Sequence, residues 1–549
     1  MTPLRPRTDL GTHRVLNQPP ERGDRDPWVA DPSLQEAIAR SNARGLSDRI
    51  RSFARTCGSE AYREHAHRAN SHPPELRSFD RHGHRIDEVD FHPSYHALMK
   101  LGLEAGVSAA PWTESEGGHT LHAALLYLMA QTEPSVCCPM SMTYAAVPAL
   151  QAEPAVGGPW IEWIRRGVYD PSSRPAPEKS GVTVGMAMTE KQGGSDVRAG
   201  TTRAVRDGEA HRLTGHKWFC SAPMSDGFLT LAHLDEGLTC FFVPRWTPDG
   251  QRNPLQIMRL KAKLGDRANA SSEIEYVGTW ALRVGEPGRG VRTILSMVHH
   301  TRLDCLVAPA AFMRRALDEA VHHARHRTTF GKRLVEHDLM AQVLADLVVE
   351  AEATTALAFR LARAFDGAAR GDERAAALSR IATPVAKYWH NKRVVPFVHE
   401  AMEVHGGAGY IEDSPLPMLY RQAPLNGIWE GSGNVMCLDV FRAMVKEPNS
   451  LDALVEELRA TRGVDPRYDA HVETILGALQ RREVTEAGAR HWVERIGIGL
   501  QASVLLENGP AEVADAFCTT RLGGARTVTF GAGASSLPAE RLLDRVVAA

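Results

Sequence analysis

Little in this chain points to a metal, a membrane or a disulfide scaffold. The eight cysteines (Cys57, Cys137, Cys138, Cys220, Cys240, Cys305, Cys437 and Cys518) form no CxxC pair and keep no regular spacing. That pattern argues against a zinc ribbon or a secreted disulfide framework, and Cys137 with Cys138 reads as two small buried residues rather than a redox couple. No stretch reaches the roughly 18 apolar residues of a membrane span, and the first twenty residues lack the apolar core of a secretory leader. A cytoplasmic location and no membrane partner are therefore expected. Neither sign of charge dominates: 64 Lys and Arg stand against 66 Asp and Glu, a formal net charge of -2. The whole chain thus has no electrostatic bias toward nucleic acid or anionic lipid. Internal repeats and low-complexity tracts are missing. His322, His323 and His326 include an HxxxH spacing, but with no third ligand in step they read as solvated side chains, and no metal is expected.

What is present is volume and a change of texture along the chain. With 549 residues, 43% of them hydrophobic, there is ample material for a core spread over several domains or one elaborated fold. Residues 1–180 read as a Pro-broken polar arm followed by helices, of which HTLHAALLYLMAQTEP and SMTYAAVPALQA are the most apolar. After the Pro/Ser linker PSSRPAPEKSG the period shortens toward two, and Thr183 to about Val284 reads as an antiparallel β domain, a small barrel or sandwich, within residues 181–290. From 291 to 446 helices return, the first of them interrupted near Pro309. Residues 447–549 form a further helical extension. Helices, strands, helices in that order suggest an α+β fold in which a β domain sits between two parts of one helical assembly.

The stretch that organises the chemistry is IWEGSGNVMCLD, Ile428 to Asp439. It places Glu430 between an aromatic that excludes water, Trp429, and the flexible Gly431 and Gly433, a setting that raises a carboxyl pKa and lets a ligand approach the backbone. Asn434 can donate and accept, and the run after it reads as a helix with its N-terminus at the motif. A Glu-Gly turn that merely caps that helix is the bland alternative. Upstream, MTEKQGGSD offers the Thr189 hydroxyl, close backbone approach at Gly193 and Gly194, and the Ser195 hydroxyl for a phosphate. Arg302, in HTRLD, is either a substrate contact or the partner of Asp304 or another nearby acid.

Four blocks, in order and at fitting separations, resemble the acyl-CoA dehydrogenase family: MTEKQGGSD, GHKWFCSA, RTTFGKRL, and EAMEVHGGAGY together with IWEGSGN. Within the family the chain is most similar to the AidB-type branch associated with the response to DNA alkylation, through NSHPPELRSFD, CPMSMTYAA, KLGDRANASSE and the long C-terminal extension. The resemblance implies an N-terminal helical domain, a middle β domain, a C-terminal four-helix bundle and an added helical domain. It implies FAD as cofactor and a homotetramer. It assigns Glu430 as the base that takes the α-proton of an acyl thioester. The flavin would be held by Met186, Met188, Thr189, Gly194, Ser195, Phe219, Cys220 and Ser221, with either Trp218 or Phe219 stacking on the ring. Arg327 and Phe330 would reach the FAD of a neighbouring subunit from a helix. Glu403, Gly406, Gly407, Ile428, Trp429, Gly431 and Asn434 complete the cofactor set, and Arg302 and Lys191 would meet substrate. Two features depart from an ordinary fatty-acid enzyme: Lys191 at the mouth of the CoA path, and bulky residues in CPMSMTY that narrow the acyl pocket. The branch also carries an alternative function, binding of double-stranded DNA through the extension to protect or repair alkylated bases. From Val445 onward, however, twelve Lys and Arg face fifteen Asp and Glu, which is not a basic domain.

Overall fold

The helix Gly118–Thr132 buries all of its residues, as a helix that is apolar on every side must. In the computed structural model, which describes residues 7–524, 528–533 and 537–548, this helix lies against the long helices Gly290–His326 and Asp338–Ala369. Glu373–His405 completes the central bundle. One continuous apolar core runs from the first helix, Pro32–Ala39, through the bundle to Leu542 and Val546. The extension is therefore packed into the body of the molecule. Its helix Ala489–Asn508 lies on the bundle, where Gln501 Oε1 accepts from the Trp389 indole at 2.8 Å.

The middle domain is a closed barrel. Strands β4 (Arg203–Asp207), β5 (Ala210–Ser221), β6 (Gly227–Leu234), β7 (Gly237–Pro244) and β9 (Ser271–Val284) pair in the order β6-β4-β5-β9-β7, and β7 returns to β6. Strand β3 (Val184–Ala187) joins β6 in parallel, and β8 (Leu255–Leu260) joins β9. The pairing is thus mixed rather than purely antiparallel, because β3 and β4 both enter beside β6 in its own direction. A hairpin absent from the sequence reading, β1 (Glu75–Phe79) with β2 (Arg85–Asp90), contributes Val89 to the barrel's core.

The expected break at Pro309 does not occur; Gly290–His326 is one helix of 37 residues. Proline removes the N–H that would satisfy the carbonyl four residues back. That carbonyl, Cys305 O, instead accepts from Asn391 Nδ2 at 2.9 Å, and Leu306 O accepts from His390 Nδ1 at 2.9 Å. Asn391→Leu should leave Cys305 O unpaired in the core and cost about 2 kcal/mol, read as a lower urea midpoint at unchanged m-value.

Candidate active site

Glu430 sits on a loop whose backbone is turned around two buried cations. Its φ is 58°, a conformation that a non-glycine residue holds only under constraint. The constraint is visible: Lys387 Nζ donates to the carbonyls of Asn426, Trp429 and Gly431 at 2.9, 2.9 and 2.8 Å. Arg302 Nε donates to the carbonyl of Glu430 itself at 3.0 Å. Arg302 is fixed in turn by Asp439 Oδ2 at 2.6 Å, and Arg380 holds the other oxygen of Asp439 at 3.0 Å. The carboxylate that Arg302 meets is thus Asp439, not Asp304, and the guanidinium is committed to the Glu430 loop. Gly431 must be glycine: its φ is 101° and a Cβ there would lie 2.5 Å from Met436 Cε. Trp429 is fixed by its indole N–H on Asn426 Oδ1 at 2.7 Å.

The Glu430 side chain retains some access to solvent, yet Oε2 is enclosed and has no hydrogen-bond partner. Burial raises its pKa above the ordinary carboxylate value, and the negative charge of Asp304 adds to this; the Thr301 hydroxyl, Lys387 and Arg302 oppose it. A carboxyl so placed holds an accepted proton more readily than an ordinary carboxylate does.

The strand side of the site faces the same apolar cluster. Met186, Met142, Cys138 and Ala222 are buried together, with Met188 and Trp429 packed against them. Cys138 joins the two halves, since its thiol meets the Ser221 hydroxyl and feels the charge of Glu430, while burial holds it protonated. Trp218 N donates to Thr189 O at 2.7 Å and so ties the MTEKQGGSD loop to β5. Beneath that loop Glu190 is buried and accepts from Lys217 Nζ at 2.8 Å. A Cβ on Gly194 would lie 2.4 Å from Thr189 Oγ1, so glycine there keeps the hydroxyl uncrowded. Ser195 and Lys191 are exposed at the mouth.

The pairing of β5 with β9 shifts between Lys217 and Cys220. This irregularity turns the Cys220 side chain into the barrel core, so any contact it makes with a ligand is through backbone. Lys261 Nζ lies over both aromatic candidates, 4.7 Å from the Phe219 ring centroid. The Trp218 ring is covered by Lys261 Nζ, 3.2 Å from its centroid, with Lys191 and Arg259 at 5.6 and 5.7 Å. Phe219 is 48% exposed.

The remaining expected residues have the following surroundings. The helix ends at His326, and Arg327 and Phe330 belong to a small hairpin, β10 (Thr328–Thr329) and β11 (Lys332–Arg333). They are therefore not on a helix. Phe330 stands at the hairpin tip, 99% exposed. Asn17 of the N-terminal arm clamps this hairpin: its side-chain amide exchanges hydrogen bonds with Thr328 N and O, and its carbonyl accepts from Arg327 Nη1 at 2.6 Å. Glu403, Gly406 and Gly407 are exposed, with open space where a Cβ would stand on either glycine. Glu403 meets His399 Nδ1 at 3.8 Å. Ile428 is exposed, and Asn434 Oδ1 accepts from Arg490 Nε of the extension at 2.8 Å. His322 bonds Pro20 O, His326 bonds His322 O, and His323 packs on His405. Among the described residues no group of three or more His, Cys, Asp or Glu is arranged to hold a metal ion, and no helix is long and apolar enough to cross a membrane. A small, open pocket lined by Glu36, Arg40, Arg363 and Pro510 contains none of these residues.

Three family models match the chain: the N-terminal domain of adaptive response protein AidB over residues 17–171, the acyl-CoA dehydrogenase middle domain over 185–278, and the acyl-CoA dehydrogenase C-terminal domain over 288–445. The putative acyl-CoA dehydrogenase AidB of Escherichia coli is 43% identical over 525 residues, covering 94% of this chain and 96% of that protein. The chain belongs to the acyl-CoA dehydrogenase family, in its AidB type. Acyl-CoA dehydrogenase family member 11 of Caenorhabditis elegans is 33% identical over 83% of this chain and 77% of its own length. The structure of C. elegans ACDH-11 in complex with C11-CoA superposes with a TM-score of 0.85 at 27% identity, covering 96% of each chain. Butyryl-CoA dehydrogenase from Megasphaera elsdenii, at 19% identity and a TM-score of 0.54 over 70% of this chain, shares the fold. Members of this family are FAD flavoproteins and oxidoreductases, and FAD is the cofactor of this chain. The exposed Phe219 ring, the half-buried Glu430 and the uncrowded Thr189 hydroxyl suit that group.

Proposed function

We propose that this AidB-type flavoprotein removes hydrogen across the α,β bond of an acyl-CoA thioester, with Glu430 as the base. The observation that carries the reading is the enclosed, unpartnered Oε2 of Glu430 on a loop held rigid by Lys387 and Arg302. FAD, when bound, supplies the two-electron acceptor for the hydride leaving Cβ. Glu430 takes the α-proton. Its raised pKa lets it hold that proton, and burial next to Trp429 limits competition from water. Thr189 and Ser221 offer hydroxyls, and Phe219 the ring face. Arg302 serves the site as a positioning residue for the base. Tyr144 and Met142 of CPMSMTY are buried in the apolar cluster against which Trp429 packs, with the Tyr144 hydroxyl bonded to His119 Nδ1 at 2.8 Å. This supports a substrate other than an ordinary straight fatty acyl chain.

The exposed Phe330 hairpin and the open backbone at Gly406 and Gly407 fit a homotetramer in which Arg327 and these residues serve a neighbour's cofactor. Two arginines of the extension are engaged within the chain, Arg481 with Glu483 and Arg490 with Asn434, which lends no support to DNA binding through them. The deciding experiment is anaerobic mixing of the yellow protein with a panel of short, branched and aromatic acyl-CoA thioesters. Bleaching of the flavin by one of them supports the proposal; no bleaching by any, with duplex binding that weakens steeply as salt rises, would replace it with the DNA reading. Gly194→Ala is expected to weaken FAD binding about tenfold by pressing on the Thr189 hydroxyl, measured by fluorescence titration of the apoprotein.

A further inference from the structure

Next to the turn that follows β5 lies a buried guanidinium whose charge no acid of the described chain answers. Arg245 comes directly after β7 and is 7% exposed. Its Nη1 donates to Met224 O at 3.1 Å, while Nη2 is enclosed and has no partner. Burial, and after it the charge of Arg252, push the pKa of Arg245 down only to about 10, so the group is charged at physiological pH. Arg252 is its neighbour across a short loop: Asn253 N donates to Arg245 O at 2.9 Å. Both arginines line one small, open pocket, whose other polar members are Asp87 and Asn253 and whose remaining wall is apolar.

The acids nearby are engaged elsewhere. Asp87 Oδ2 accepts from Arg85 Nε at 2.7 Å, and its Oδ1 from Ile257 N at 3.2 Å. Asp226 takes Lys179 Nζ at 2.6 Å and Thr183 N at 2.9 Å. Glu88 accepts from Arg77 Nη2 at 3.2 Å and stands 3.8 Å from Arg252 Nη1. Asn253 is also fully used, its amide nitrogen on the carbonyls of Pro244 and Trp280 and its oxygen on Trp280 N. What remains at the pocket is donors on two cations: Arg245 Nη2, and those N–H groups of Arg252 not taken by Ser173 Oγ and Ile86 O. A water accepts a hydrogen bond from Nη2 but leaves the charge unbalanced, and an unpaired buried charge is costly.

We propose that this pocket binds a small monoanion, of the size and charge of chloride, between Arg245 and Arg252. The cavity, of about 10 Å3, seats one particle near the size of water, which favours a halide over phosphate or an organic acid. The ion joins three pieces of chain: β2, whose Ile86 carbonyl Arg252 holds; the turn 222–226, whose Met224 carbonyl Arg245 holds; and the link from β7 to β8 that carries both arginines. That turn starts beside Ser221, so the ion braces the strand end that offers a hydroxyl to the flavin. Binding here is independent of the reaction at Glu430.

The test uses the full-length, FAD-loaded protein in sodium gluconate, titrated with sodium chloride at constant ionic strength so that screening is the same throughout. The wild type should show a saturating rise in melting temperature of about 2 °C or more as the site fills. Arg245→Met removes the unpaired charge and should lose that rise. Arg252→Gln removes the second cation and should move the midpoint of the rise to about tenfold higher chloride. Should Arg245→Met not fold, Arg245→Lys keeps the charge but not the two-armed fork, and its rise should be weakened in the same way. A wild type equally stable in both salts means that water fills the pocket and overturns the proposal. A chloride response that the variants retain unchanged places the ion elsewhere, and one that never saturates is a general salt effect; either result overturns it as well.

Discussion

Glu430→Gln should leave the protein folded and yellow while slowing thioester-dependent bleaching of the flavin about a thousandfold. General-base catalysis by a positioned carboxylate is worth roughly 10²–10⁴ in rate, and Gln keeps the shape while removing the basic oxygen. Anaerobic stopped-flow with the best thioester of the panel is the measurement, and a fall of less than tenfold would assign the proton to another group. The pH dependence has a definite sign. Glu430 acts only when ionised, so bleaching in the wild type rises with pH through its raised pKa. The same shift bears on stability. Between the ordinary value of 4.5 and the higher native value the folded protein keeps a proton that the unfolded chain has released. The contribution of this group is thus most favourable below 4.5 and is lost as pH rises through the native pKa. The Gln variant lacks that loss, and its melting temperature should fall less than the wild type's between acidic and mildly alkaline pH.

How much of this was legible beforehand follows from the range of the interactions. Glu430, Trp429 and Gly431 are neighbours in sequence, and so are Thr189, Gly194 and Ser195; each set writes its chemistry into a short block. The β domain announces itself by a change of period over a hundred residues. The groups that hold these blocks in place come from elsewhere in the chain. Lys387 lies 44 residues before Gly431, in an apolar helical stripe where only the oddity of a lysine among VAKYWH marks it. Asn391 repairs the helix at Pro309 from a different helix, so local rules for proline forecast a break that tertiary contacts remove.

Register is the other thing that a sequence hides. Alternation along β5 would place Cys220 and Trp218 on one face, but the irregularity after Lys217 buries both Lys217 and Cys220 and leaves Phe219 outside. Asn434 was open to misreading for a similar reason: its amide looks free in the block, yet Arg490 arrives from the extension to occupy it.

Lys387→Met should be the most destabilising single change near the site, by about 3 kcal/mol. The ammonium is 1% exposed and serves three carbonyls at once. A surface ion pair of the same length would be worth under about 1 kcal/mol because water replaces the lost partner. Here water has no entry, and methionine fills the volume but leaves three backbone acceptors unpaired, each costing about 1 kcal/mol or more. Part of that loss is offset, since burial disfavours the ammonium and lowers its pKa. The carbonyls on either side of Glu430 are two of the three, so the positive φ of Glu430 loses its main restraint and the carboxylate leaves its place. Activity and stability should therefore fall together in Lys387→Met, followed by urea unfolding and by bleaching rate. Lys387→Arg, which keeps the charge but not the compact three-donor geometry, should recover stability only in part. A Met variant as stable as the wild type would mean that the loop is held by Arg302 and Asp439 alone.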